Sequence, residues 1–371
     1  MTVPLRIAGD PSVPSLEALR TLAIKTFSKA PCSFQLEFAQ ALLERKKHVL
    51  LQAGCGMGKT LGFWIPLLTN ASGCLVVVSP LTLLGDQHAD DLRRVGIKAI
   101  NIDADTIAEK PHVFEVKIFV ILDATHSQGL QDIEHGLYRV VISSPEQLMK
   151  EGGGFDRLFR KPHFTSNLIA IIIDEAHCVK LWSSFRKQYQ ELGRLRHLLP
   201  ESVHFAIVSA TLPATVLPDV MSRLGVSGDN LHAIRLSNDR SNIALVVRKM
   251  KYPANTYMDL DFLVQDTGAD SDGPDTHDGA RLPQRREKFV VFFDGKNEAT
   301  AAGDYLRSRL PLDQRKRIIW FMSDMSREYK DDGVEDLTTG EIWGICSTDS
   351  FGMVGGEVRV FPECAYSLNF I

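Results

Sequence analysis

The segment that most restricts how this chain can fold is Ala53-Gly54-Cys55-Gly56-Met57-Gly58-Lys59-Thr60. It follows an apolar run, Val49-Leu-Leu-Gln52, and precedes a helix-compatible Leu61-Gly-Phe-Trp64. A strand, a glycine-rich turn and a helix in direct succession make a phosphate-binding loop. Gly54, Gly56 and Gly58 let backbone N–H groups point inward at phosphate oxygens, which larger residues would obstruct. The helix N-terminus adds a field that favours anions. Lys59 is placed to reach the β- and γ-phosphates of a nucleotide, and the Thr60 hydroxyl to ligate Mg²⁺. The strict pattern has glycine where Ala53 stands, so the loop is a variant.

Such a loop belongs at the C-terminal edge of a parallel sheet, and the surrounding pattern supplies one. Short β-branched runs at 49–52, 74–79, 139–143, 168–174 and 204–209 alternate with helical patterns. Several are apolar on consecutive residues, as strands covered on both faces are. The expected class is α/β: a P-loop NTPase with parallel sheets. At 371 residues the chain is long enough for two domains. Residues 1–30 read as an N-terminal extension and 31–250 as the nucleotide-binding domain. Residues 251–288 read as a linker, because 265–279 holds five aspartates, three glycines and almost nothing apolar. A second α/β pattern occupies 289–371, short for a complete domain.

A second chemical group completes the first. Leu168-Ile-Ala-Ile-Ile-Ile ends in Asp174-Glu175-Ala176-His177. A phosphate loop needs a carboxylate at a neighbouring strand end to hold Mg²⁺ and orient the attacking water. Asp174 is the candidate for the metal and Glu175 for the general base. With 42 Lys and Arg against 46 Asp and Glu, the net charge of −4 excludes a histone-like polycation. It leaves a nucleic-acid partner open, since a local groove can be basic on a mildly acidic protein. No apolar run approaches the roughly 18 residues of a membrane helix, and the first residues lack the pattern of a secretory signal. The six cysteines, none in a CxxC pair, indicate neither a zinc site nor a disulfide framework. They read as buried or half-buried thiols in a reducing compartment, an intracellular setting.

These elements together resemble superfamily 2 helicases, and among them the RecQ-type DNA helicases. Asp174-Glu175-Ala176-His177 is a DEAH-type Walker B, and Ser209-Ala210-Thr211 is similar to motif III. Phe34-Gln35 resembles the adenine-reading Gln motif. Ser79-Pro80 resembles motif Ia, and Ser143-Ser144-Pro145-Glu146 motif Ib. Cys178 to Leu195, with Trp182, Phe185, Arg186 and Tyr189, looks like the aromatic-rich loop of the RecQ type and the helix after it. Asp239-Arg240-Ser241-Asn242-Ile243 is close to that family's Arg-Pro-Asn-Ile element, and Thr348-Asp349-Ser350-Phe351-Gly352-Met353 resembles motif V.

The resemblance implies tandem RecA-like domains that bind ATP and Mg²⁺, with the second incomplete. It implies 3′ to 5′ translocation on single-stranded DNA, duplex unwinding in DNA repair and recombination, and a nuclear setting. Gln35, Ala53, Gly54, Gly56, Gly58, Lys59, Thr60 and His177 would contact the nucleotide. Ser79, Pro80, Ser144, Trp182, Phe185, Arg186, Thr348 and Asp349 would contact DNA, and Ser209, Ala210 and Thr211 would couple the two. Stacking of bases on Trp182 and Phe185 would contribute about 1–3 kcal/mol each. Core packing of the same rings is the structural alternative.

The segment Val354-Gly-Gly-Glu-Val358 departs from the family's turn after motif V, and no Gln-x-x-Gly-Arg-x-Gly-Arg motif VI is present. A C-terminally truncated form of the family is therefore expected. Two rivals stay open: a nucleotide-dependent DNA-binding protein with weak turnover, and an RNA-directed DExH ATPase. Replacing Lys59 with Ala should leave the chain folded and weaken ATP·Mg²⁺ binding at least tenfold in a nucleotide titration. Unchanged affinity would remove the loop from the nucleotide site.

Overall fold

The computed structural model describes residues 13–80, 82–102, 133, 136–183, 186–239, 244, 246–265, 287–348, 351 and 365–367. Contacts divide the chain into two compact units, Met1–Asp239 and Arg240–Ile371.

The first unit is built on seven parallel strands. They are β1 (His48–Gln52), β2 (Cys74–Val78), β3 (Ala99–Ile102), β4 (Val140–Ser143), β5 (Leu168–Ile173), β6 (Phe205–Ser209) and β7 (Leu231–Arg235). Their order is β3-β4-β2-β5-β6-β1-β7. The pleat sends alternate side chains to opposite faces, so an unbroken apolar strand feeds two cores. Leu50, Val76, Ile171 and Phe205 join one core. Val49, Leu51, Val77, Ala170 and Ala206 join the other. Five of these strands fall within a residue or two of the apolar runs in the sequence. β3 and β7 were not legible, because Ala99-Ile-Asn-Ile and Leu231-His-Ala-Ile-Arg are short edge segments with polar interruptions.

The N-terminal stretch is not a free extension. α1 (Leu16–Phe27) starts at Ser15, whose hydroxyl accepts from the Ala18 amide, and ends at Ser28 in the left-handed region. Its Leu19 and Ala23 pack on Leu36 and Ala39 of α2 (Ser33–Glu44) and on Ile65. Arg139, ahead of β4, donates to the carbonyls of Gly73, Leu67 and Asn70, which fixes the turn entering β2.

The second unit has four parallel strands, β8 (Phe289–Phe292), β9 (Ile318–Phe321), β10 (Gly344–Ser347) and β11 (Ala365–Ser367), in the order β11-β8-β10-β9. Helices Lys296–Ser308 and Arg327–Thr339 accompany them. Residues 251–264 are not a linker throughout: Leu260 and Val264 are buried in this unit's core with Phe289 and Val291. The aspartate-rich run 265–279 lies, beyond Gln265, outside the described residues. Cys74, Cys178 and Cys346 are buried as expected, but Cys32 and Cys55 are exposed, and Cys364 lies outside the described residues. No helix of the described residues is long and apolar enough to cross a membrane.

Buried at the start of β1, His48 accepts a hydrogen bond on Nδ1 from the Phe205 amide at 2.9 Å. Burial, then the nearby His204 and Arg196, push its pKa down to about 4. A histidine with a depressed folded pKa stays neutral while the unfolded chain takes up a proton below about 6.5. Its effect on stability is therefore nil at high pH and grows unfavourable from about 6.5 down to about 4. Replacing His48 with Asn keeps an acceptor for Phe205 and removes the titration. In urea unfolding, the variant should gain about 2 kcal/mol on wild type between pH 7.5 and pH 5. A pH-independent difference would show that His48 does not titrate in this way.

Candidate active site

Parallel pairing brings the C-terminal ends of β5, β6 and β1 side by side. The three key segments therefore emerge at one edge: Asp174-Glu175 after β5, Ser209-Ala210-Thr211 from β6, and the glycine-rich loop after β1. The Ala53 amide donates to Ser209 O at 3.3 Å, and the Ala176 amide to Val208 O at 2.8 Å. These main-chain bonds tie the three segments together.

Within the loop, Gly56 and Gly58 take φ of +73° and +75°, a region closed to most side-chain-bearing residues. Gly58 is doubly required, since a Cβ there would sit 2.8 Å from Gln35 Nε2. Lys59 Nζ donates to Gly54 O at 3.3 Å, and α3 (Lys59–Trp64) begins directly after Gly58. Lys59 and Thr60 are half-buried, while Cys55 and Gly56 are exposed.

Gln35 reaches this loop from the first turn of α2. Its Nε2 donates to Gly58 O at 2.6 Å, and its Oε1 accepts from the Cys32 amide at 2.7 Å. Only 4 % of the residue is exposed. The structure thus makes Gln35 a brace for the phosphate loop.

Asp174 is buried, and its Oδ1 accepts from the Glu175 amide at 2.9 Å. Burial first, then the Glu175 charge, raise its carboxyl well above the ordinary range, against the pull of Lys59. Burial also opposes ionisation of Glu175, but the hydrogen bond from His177 and the Lys59 charge outweigh it and keep that carboxyl ionised. His177 Nδ1 lies 2.9 Å from Ser209 Oγ and 3.2 Å from Glu175 Oε2. Ser209 Oγ donates its one hydrogen to Thr211 O at 2.9 Å and accepts from the Thr211 amide at 3.2 Å. It must therefore accept from His177, which assigns the imidazole proton to Nδ1. A buried carboxyl whose charged form is disfavoured by its neighbours suits a divalent cation, which would restore the charge. Asp174 and the Thr60 hydroxyl are the groups to hold it.

The segment after Asp174 is organised around Arg186. Its Nε and Nη2 donate to Glu146 Oε1 and Oε2 at 2.6 and 2.7 Å, and Nη1 donates to Pro80 O at 2.8 Å. Its guanidinium also lies 5.4 Å from the Trp182 ring centroid and 5.3 Å from that of Tyr189. Trp182 is half-buried and packs against the core, edge-on to Tyr189. Arg186 thus joins three of the predicted DNA-contact segments through bonds within the protein. Ser79 and Pro80 are buried, and Ser144 caps the helix Pro145–Leu148 by accepting from the Gln147 amide. The sequence reading missed Glu146 as the partner of Arg186, since nothing local links residues 40 apart.

Phe185, Asp349 and Arg240 to Ile243 lie outside the described residues. Thr348 is half-buried after β10 in the second unit, described here by itself. Asn238 was also missed: its Nδ2 donates to Ala210 O at 2.9 Å, fastening the end of the first unit to the Ser209–Thr211 segment.

A phosphate loop, a buried Asp-Glu-Ala-His strand end and a serine-threonine link on one sheet edge define a nucleotide-driven motor domain. Comparison places the chain within such proteins. The DEAD/DEAH box helicase family profile matches residues 32–219, about half the chain. The chain belongs to that family, and its relatives make it a RecQ-type member. It is 27% identical to the ATP-dependent DNA helicase hus2/rqh1 of Schizosaccharomyces pombe over 64% of this chain and 17% of that protein. It is 28% identical to the ATP-dependent DNA helicase RecQ of Haemophilus influenzae over 59% of this chain and 31% of that protein. The chain thus spans a third or less of the length of these relatives. Among solved structures, it superposes on the DUF1998 helicase MrfA bound to DNA and AMPPNP with a TM-score of 0.59 at 16% identity, covering 92% of this chain and 44% of that one. It superposes on Saccharomyces cerevisiae Dbp5 bound to RNA and ADP BeF3 with a TM-score of 0.59 at 15% identity, covering 93% and 76%. These likenesses establish the fold.

Glu175 itself sits at φ +46°, in the left-handed region. Such a conformation costs a non-glycine residue about 1–3 kcal/mol, most for β-branched ones. Glu175→Val should therefore melt several degrees below Glu175→Gly in a thermal scan. Equal melting temperatures would show that the backbone relaxes on substitution.

Proposed function

We propose that this chain is the motor portion of an ATP-dependent DNA helicase of RecQ type. In this reading it moves 3′ to 5′ on single-stranded DNA and separates duplexes in repair and recombination within the nucleus. The observation that carries the reading is the His177–Ser209 hydrogen bond at 2.9 Å. It joins the Asp174-Glu175 strand end to the segment leaving β6, beside the phosphate loop.

Each residue then has a chemical task. The loop amides and Lys59 hold the β- and γ-phosphates of ATP, and Gln35 keeps Gly58 in its conformation. Mg²⁺, when bound by Asp174 and Thr60, neutralises charge on those phosphates. Glu175, kept ionised by His177, orients the attacking water. His177 senses the position of Glu175 and passes it to Ser209 and Thr211. Arg186 holds Trp182 against Pro80 and Glu146, so DNA on that surface acts on segments tied to the nucleotide edge.

Glu175→Gln should bind ATP within a few-fold of wild type yet lose at least 100-fold in turnover. Single-stranded DNA should stimulate the wild-type ATPase more than RNA of the same length. Stimulation by RNA alone would replace this reading with an RNA-directed ATPase. Hydrolysis surviving Glu175→Gln would move the base to another residue.

A further inference from the structure

The pole of the first unit opposite the nucleotide edge gathers basic side chains from four places. Arg45 stands at the C-terminal end of α2 with φ +51°, and His48 opens β1. Arg196 lies on the helix Leu195–Leu198, and His204 stands directly before β6. The N-terminal ends of β5, β6 and β1 are neighbours, just as their C-terminal ends are. The imidazoles of His48 and His204 lie 5.3 Å apart, and His48 stacks on Phe205 at 5.6 Å. Arg196 covers the other side of Phe205, its Cζ 5.5 Å from the ring centroid.

Charge is unbalanced here. Arg186 elsewhere in this unit is neutralised by Glu146, and Arg139 is saturated by three carbonyls. Arg45 donates to Leu168 O and Arg196 to Val203 O, and among the described residues neither has a carboxylate partner. Arg45 Nε is buried with no hydrogen-bond partner among the described residues. The charges acting on His204 are those of Arg45 and Arg196. Two guanidiniums and two neutral imidazoles facing one place, with no acid among them, match a doubly charged oxyanion.

We propose that Arg45, Arg196, His48 and His204 form a phosphate-recognition site that receives a phosphorylated serine or threonine of a peptide segment. A nucleic-acid backbone fits less well. The groups converge on one point instead of following a track, and the aromatic ring among them, Phe205, is fully buried and offers no base a stacking surface. β1 separates the site from the phosphate loop by five residues, roughly 16 Å at 3.3 Å per residue. A ligand there touches none of the residues that act on ATP, so the proposal stands apart from the helicase reading.

The test uses the full chain and two probes, inorganic phosphate and N-acetyl-phosphoserine amide, with N-acetylserine amide as control. Binding is followed by calorimetry and by the imidazole NMR signals of His48 and His204. Phosphoserine amide should bind saturably, at least as tightly as inorganic phosphate, and move both imidazole signals, while the control does neither. Arg196→Gln should weaken it at least tenfold, with Arg196→Lys in between and the affinity for a single-stranded oligodeoxynucleotide unchanged. His204→Gln, at a half-exposed position, repeats the test should Arg196→Gln lower the melting temperature. Equal phosphoserine affinity in both variants would overturn the proposal, as would binding of inorganic phosphate alone. A matching loss of oligodeoxynucleotide affinity in Arg196→Gln would also overturn it, in favour of a nucleic-acid contact.

Discussion

Burying Asp174 beside Glu175 is the constraint on which the catalytic edge depends. Two carboxyls on adjacent residues, one of them deep in the protein, are a poor arrangement without positive charge nearby. Lys59 from the phosphate loop and His177 from the same turn supply it, each from a position the sheet dictates. The loop can deliver Lys59 only because β1 ends one strand away from β5, with β6 between them. The strand between carries Ser209, so the same geometry that relieves the carboxyl pair also gives His177 its partner. A left-handed Glu175 completes the turn, and the main-chain bond from Ala176 to Val208 holds it there.

The phosphate loop shows how tightly neighbouring parts depend on one another. Gln35 and Gly58 approach so closely that neither position tolerates a bulkier residue without displacing the other. The amide of Gln35 also fixes the first turn of α2 through the Cys32 amide, so helix start and loop shape are set by one side chain. On the far side of Asp174, Arg186 has the same organising role. Its bidentate pair with Glu146 and its bond to Pro80 O draw three loops together, with Tyr189 and Trp182 as aromatic walls. Glu146 is held below the usual carboxylate range by these bonds although burial opposes it. The expectation that Arg186 contacts phosphate directly is thus joined by a structural role that the sequence did not announce.

The catalytic elements were legible because each is a contiguous string whose local geometry is part of its chemistry. Ala53 to Thr60 must be a turn between strand and helix for its amides to point inward, and Asp174 must end a strand to meet it. The five central strands were legible for a related reason: burial on both faces demands an unbroken apolar run. Edge strands escape this demand, and β3 and β7 were accordingly missed. Leu260 and Val264 were assigned to a linker because two apolar residues among polar neighbours give no periodic signal.

By itself, then, the amino-acid order determined the α/β class, the phosphate loop and the acidic strand end, since each follows from residues within hydrogen-bond reach along the chain. Only the tertiary structure decided which distant groups meet. Glu146 and Arg186 are 40 positions apart, His177 and Ser209 are 32, and Arg45, His48, Arg196 and His204 come together across more than 150. Strand order brings such groups together, and strand order is set by how apolar faces pack in three dimensions, which no local pattern encodes.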